Sequence, residues 1–134
     1  MAAREPRCRG VRRDELSGRY TRETTFAADD HRTYNRRGEA FDVGETFSGV
    51  DYETGVDAAH RFATLARGIG LEPAKAALAW VAQQPGVTTV IPGARSPEQA
   101  RANAAAIAPL PQDFLDAVEA LYDERIRPLV HHRW

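Results

Sequence analysis

The sequence predicts an α/β fold that is mostly helical, with a single buried strand near residues 87–91. Apolar residues at i, i+3, i+4 spacing fill stretches of helical length on both sides of that strand. The run VTTVI from Val87 is β-branched and almost uninterrupted, as a strand covered on both faces should be. A Gly turn follows it directly and opens into a capped helix, the order in which βα units repeat.

Residues 1–15 show neither helical nor alternating apolar periodicity and are expected to be irregular. From 16 to 50 the text is polar and turn-rich, a loop longer than compact domains usually hold without a functional reason. Val56, Ala59, Phe62, Ala63 and Ala66 then predict a helix over about 52–67, stopped by Gly68-Ile69-Gly70. Pro73 suits a first helical turn, and Ala76, Ala77, Trp80 and Val81 share one face, so a second helix is expected over about 73–83. Beyond the strand, Ser96 as N-cap, Pro97 and Gln99 form a capping-box signature for a helix over about 97–107. Phe114, Leu115, Val118, Leu121 and Tyr122 place a fourth over about 112–126, ahead of Pro128. A lone parallel-type strand leaves backbone groups and both apolar faces without neighbours, so this pattern looks like the last part of a repeating βα fold.

Charge and composition narrow the function. A net charge of -1 gives no global reason for a nucleic-acid or membrane partner. The first 22 residues are locally basic through Arg4, Arg7, Arg9, Arg12, Arg13, Arg19 and Arg22. Glu5, Asp14 and Glu15 interrupt them and no aromatic platform is interleaved, so no nucleic-acid partner is expected. No run approaches the roughly 18 apolar residues of a membrane helix, and no secretory h-region follows Met1. With Cys8 the only cysteine, no internal disulfide is possible, and the expected location is cytoplasmic. His131 and His132 lack a third ligand type nearby, so no metal site is assigned.

The chemistry sits at the strand–helix junction. A Gly there lets backbone approach a ligand, and the helix N-terminus beyond it offers free N–H groups and a partial positive charge to an anion. Arg95 stands one residue before the cap, where its guanidinium could take a phosphate in fork geometry. Gln99 and Asn103 follow one and two turns along the face of Ser96; the plain alternative makes all three solvated surface residues.

The stretch WVAQQPGVTTVIPGARSPEQARAN resembles the end of the aldo/keto reductases, whose last βα unit carries IPG-(A/T/S)-(R/K)-x-x-x-Q-x-x-x-N. AKAALAW is similar to that family's AQxALAW helix, LSGRYT to the LtGKY after its seventh strand, and DDHR to the loop beyond. These pieces occur in family order over about residues 16–126. The resemblance implies the C-terminal fragment of an eight-stranded (β/α) TIM barrel, which binds its cofactor NADP at the C-terminal strand ends. It implies further that Gly93, Arg95, Gln99 and Asn103 hold the adenosine 2′-phosphate and adenine. Arg19 matches a basic residue near the pyrophosphate, and Arg32 a residue of the cofactor-covering loop. Ala102 stands where the family often has an acid.

Family chemistry is hydride transfer between NADPH and a carbonyl, using a Tyr, a Lys, an Asp and a His from the first half of the barrel. No residue here stands in a matching motif, so no catalytic residue is assigned. CRGVRRDE, with Arg12 to Glu15 all charged, cannot be the buried strand expected before LSGRYT. The expectation is therefore a fragment that is not catalytic alone, needs a complete barrel to take a carbonyl substrate, and self-associates through exposed barrel edges. The alternative is a non-catalytic helical interaction module.

Overall fold

The computed structural model describes residues 20–106 and 108–133. The Arg-rich stretch 1–15 and Arg19 lie outside the described residues, as does Ile107, the expected end of the third helix. Among the described residues the α-helices are α1 His31–Tyr34, α2 Tyr52–Gly68, α3 Pro73–Ala82, α4 Pro97–Ala104, α5 Gln112–Arg125 and α6 Arg127–Val130. Short 3-10 turns occupy Val43–Glu45, Phe47–Gly49 and His131–Arg133.

No strand and no sheet occur among the described residues, which corrects both the expected strand near 87–91 and the α/β barrel fragment built on it. Residues 87–94 run without turn or bend and form no strand ladder among the described residues. The Val87 N–H turns back to the Gln84 carbonyl at 3.1 Å, and Ile91 is 91% exposed. β-branched side chains favour extended backbone, but a strand exists only when a neighbour takes its N–H and C=O groups. Among the described residues no neighbour does.

The helices form because their ends are punctuated and one face of each is buried. Asp51 caps α2 by accepting from the Thr54 N–H at 3.1 Å. Gly70, at φ 76, closes the other end: its N–H reaches the Arg67 carbonyl at 2.9 Å, and the Leu71 N–H the Ala66 carbonyl at 3.0 Å. Along α2, Phe62, Ala63 and Ala66 are buried, and the small side chains of Ala66, Ala76 and Ala79 let α2 and α3 lie close. Phe114 and Val118 of α5 complete this core with Leu110, and the Phe62 and Phe114 rings meet edge to face at 6.0 Å. Gln83 ties the end of α3 to the linker before α5, donating to the Ala108 carbonyl at 3.0 Å and accepting from the Leu110 N–H at 3.1 Å.

The polar segment ahead of α2 is ordered by a different device. Tyr20, Phe26, Phe47 and Tyr52 form an aromatic cluster against Val56, and the Tyr52 hydroxyl donates to the Thr21 carbonyl at 2.8 Å. Asn35 is fully buried, and its Oδ1 accepts from the Ala40 and Phe41 N–H groups at 2.9 and 2.8 Å. Its Nδ2 donates to the Thr46 hydroxyl at 3.1 Å. The chain then passes through Phe47, Ser48 and Gly49 at φ 50, 56 and 79, left-handed backbone held in place by the burial of Phe47.

Candidate anion site at the turn before α4

The turn from Gly93 to Asn103 is organised by its own side chains. Ser96 caps α4, its hydroxyl accepting from the Gln99 N–H at 3.2 Å. Gln99 reaches back so that its Oε1 accepts from the Arg95 N–H at 2.7 Å, one residue ahead of the N-cap amide that a reciprocal capping box would use. One turn further, Asn103, 9% exposed, donates from Nδ2 to the Gly93 carbonyl at 3.2 Å. Gln99 and Asn103 thus fix the backbone on either side of Ala94, and Arg95 projects from the fixed loop as an exposed cation.

Electrostatics at this end are mixed. Arg95 enters no ion pair among the described residues, whereas Arg101 pairs with Glu98 at 3.2 Å. The Glu98 carboxyl is held below the usual carboxylate range by its own backbone N–H and by the Ser96 hydroxyl, so a carboxylate already uses part of the positive helix end. The Glu98 side chain is exposed and makes no contribution to the core.

Space is available for a ligand. A Cβ added at Gly93 meets nothing within 4 Å, so the backbone there is open to close approach. Beside it lies an open cavity of about 300 Å³ lined by Leu78, Ala82, Val90, Pro92, Ala100 and Asn103. That is the lower end of the roughly 300–1,000 Å³ of small-molecule sites, and its apolar wall suits a flat ring rather than a charge.

Arg32 is placed apart from this group and is already engaged. Its Nε donates to Asp30 at 2.9 Å, its Nη1 to the Tyr20 hydroxyl at 2.7 Å, and its Nη2 pairs with the second Asp30 oxygen. The guanidinium also lies 4.2 Å from the centre of the Phe26 ring. Arg36, which the sequence reading did not single out, stacks on Tyr52 at the same distance of 4.2 Å. An Arg-Arg pair flanked by Asn35 and Gly38 was the only available signal, and nothing local distinguishes such a pair from a solvated charge run.

Asp30 also caps α1, accepting from the Arg32 N–H at 2.9 Å. The Arg32 guanidinium first, and the Arg32 N–H second, hold its carboxyl far below the ordinary aspartate value. A depressed carboxyl stabilises the fold above its unfolded value of about 3.9, and that contribution is lost as pH falls through the lower folded value. An acid titration followed by NMR should therefore find the Asp30 carboxyl still ionised at pH 3, with α1 intact. A midpoint in the ordinary range would show that the Arg32 clamp does not persist in solution.

No helix among the described residues is long and apolar enough to cross a membrane, and none of their His, Cys, Asp and Glu side chains gather into a metal-binding group. A family model described as the aldo/keto reductase family matches residues 13–123, the span that includes the Gly93–Asn103 turn. No curated protein matches the chain.

Proposed function

The chain belongs to the aldo/keto reductase family, a family of oxidoreductases that use nicotinamide cofactors, and on that premise we propose that its Gly93–Asn103 turn grips the 2′-phosphate of NADP. The observation that carries this reading is the exposed Arg95 guanidinium on a loop whose backbone Gln99 and Asn103 have already fixed. Preorganisation matters because ordering a loop and a long side chain on binding costs affinity, and here the loop is ordered beforehand. Arg95 supplies the charge, the bare backbone at Gly93 allows close approach, and the apolar cavity beside it takes the adenine ring. Gln99 and Asn103 act as positioning residues, since their hydrogen bonds to the backbone hold the loop.

Arg32 is proposed to order the segment ahead of α2, with its cation balanced by Asp30, while Arg19 is proposed to approach the pyrophosphate. When bound, the cofactor supplies the hydride for a carbonyl substrate; no residue of this chain is assigned a step in that transfer. One cysteine in the whole chain suits a reducing compartment, and the cytoplasm is the proposed location.

A second reading, a helical interaction module without cofactor function, is favoured by one observation: α2, α3 and α5 bury a common core with no strand involved. Thermal melts separate the two. At a ligand concentration 100-fold above Kd, NADPH should stabilise the chain by about 2.7 kcal/mol, and NADH, lacking the 2′-phosphate, by much less. Arg95→Ala should raise the NADPH Kd about tenfold and remove the preference over NADH, as expected for losing a charge-assisted hydrogen bond. A cooperative melt indifferent to both nucleotides would leave the interaction module as the reading.

A further inference from the structure

The unpaired run Val87–Ile91 has a specific geometry. In a straight chain successive peptide groups point to opposite edges, so odd- and even-numbered residues present different edges. The odd edge is tied to the chain itself at its two ends, where the Val87 N–H bonds the Gln84 carbonyl and the Gly93 carbonyl accepts from Asn103, while Thr89 and Ile91 between them make no backbone hydrogen bond among the described residues. The even edge, Thr88 and Val90, bonds nothing among the described residues. Val90 lines the cavity against α3 and α4, whereas Ile91 stands almost wholly in water.

We propose that the Thr88–Val90 edge is a docking surface for the same edge of a second copy of this chain, paired antiparallel about Thr89. The sequence is self-complementary in that register. Thr88 faces Val90 of the other copy, and the two exchange N–H···O bonds through groups that the single chain leaves unpaired. Thr89 then faces Thr89, and Val87 faces Ile91, at the closely spaced positions where side chains touch; β-branched pairs and Thr–Thr pairs are favourable there. Ile91 leaves solvent by packing on Val87 of the partner copy. No charged residue occurs from Pro85 to Ala94, so identical copies meet without like-charge repulsion. Pro85 and Pro92 bound the run and, lacking N–H groups, keep the pairing short, which favours a closed pair over a growing ladder.

Sedimentation velocity over a wide concentration range, with no nucleotide present, tests this without reference to cofactor binding. The wild-type chain should pass from monomer to dimer. Thr88→Pro removes an edge N–H that has no partner within the chain, so it should raise the dimer dissociation constant by about tenfold or more while the helical circular dichroism stays the same. Thr89→Lys sets like charges opposite each other at the two-fold and should have a similar effect through an independent route, whereas Thr88→Ala, which keeps the N–H, should still dimerise. A wild-type chain that stays monomeric throughout overturns the proposal. So does a dimer that Thr88→Pro and Thr89→Lys leave unchanged, since it would be held by another surface.

Discussion

Replacing Phe114 by Ala is expected to lower the unfolding free energy by about 3–5 kcal/mol, the usual range for deleting a buried aromatic ring. Phe114 is 3% exposed and lies edge to face with Phe62 where α2 and α5 meet. The core cluster it belongs to includes Ala66, Ala76 and Ala79, whose short side chains cannot reach into the void beside Phe62, Leu110 and Val118. The lost transfer energy is therefore added to a cavity term. A loss of this size is a large share of the roughly 5–15 kcal/mol that stabilises a typical domain, so the variant is expected to sit near its unfolding transition. Phe114→Leu keeps most of the volume and should cost less than about 1.5–2 kcal/mol. Urea unfolding with an unchanged m-value reads both, and equal small losses for Ala and Leu would show that α5 does not close this core in solution.

That core was readable in the sequence because it depends on local periodicity. Phe62, Ala66, Phe114 and Val118 recur at helical spacing, and such residues bury one face whichever partner the helix finds. Helix ends were readable for the same reason: Pro73, Ser96 and Gly70 act within one turn of chain. The run at Val87–Ile91 was not, because β-branched residues specify a local conformation and leave the pairing to a neighbour. Its composition promised burial on both faces, yet Ile91 is exposed, and no local feature of the sequence records whether a second strand is present.

The turn at Gly93–Asn103 divides in a similar way. The spacing of Ser96, Gln99 and Asn103 put them on one face of α4, and the structure uses that face, but inward: Gln99 and Asn103 bond the loop backbone. Residue spacing shows which side chains share a face and not whether a polar group is turned to a ligand or to its own chain. Arg95 and Arg32 illustrate the difference, one exposed and the other saturated by Asp30 and Tyr20. The aspartate beside Arg32 was visible in DDHR, whereas Tyr20 comes from a distant turn.

Asn35 shows how a polar segment with little apolar periodicity is held. Asn35→Ala is expected to raise hydrogen-exchange rates at the Ala40 and Phe41 amides by about 30- to 150-fold, equivalent to about 2–3 kcal/mol of local opening. Both amides donate to the same Asn35 Oδ1, so truncation removes their common acceptor and one of the two side-chain partners of the buried Thr46 hydroxyl. Gly38, at φ 81, lies inside the loop that Asn35 closes, and a Cβ there would come within 3.1 Å of the Val43 Cβ, so the turn requires glycine. Asn35→Asp keeps an acceptor for both amides and should protect them far better than Ala, although it gives up the donor to Thr46. The helical core should exchange at its wild-type rate in each variant, because the side-chain hydrogen bonds of Asn35 all go to its own segment, at Ala40, Phe41, Asp42 and Thr46. If Ala and Asp loosen the two amides equally, the acceptor is not what orders this segment, and the aromatic cluster around Tyr52 must hold it alone. If only Ala does, a single buried amide fixes the path of the chain from Asn35 to Thr46, and with it the placement of His31, whose Nδ1 meets the Thr46 hydroxyl at 3.2 Å.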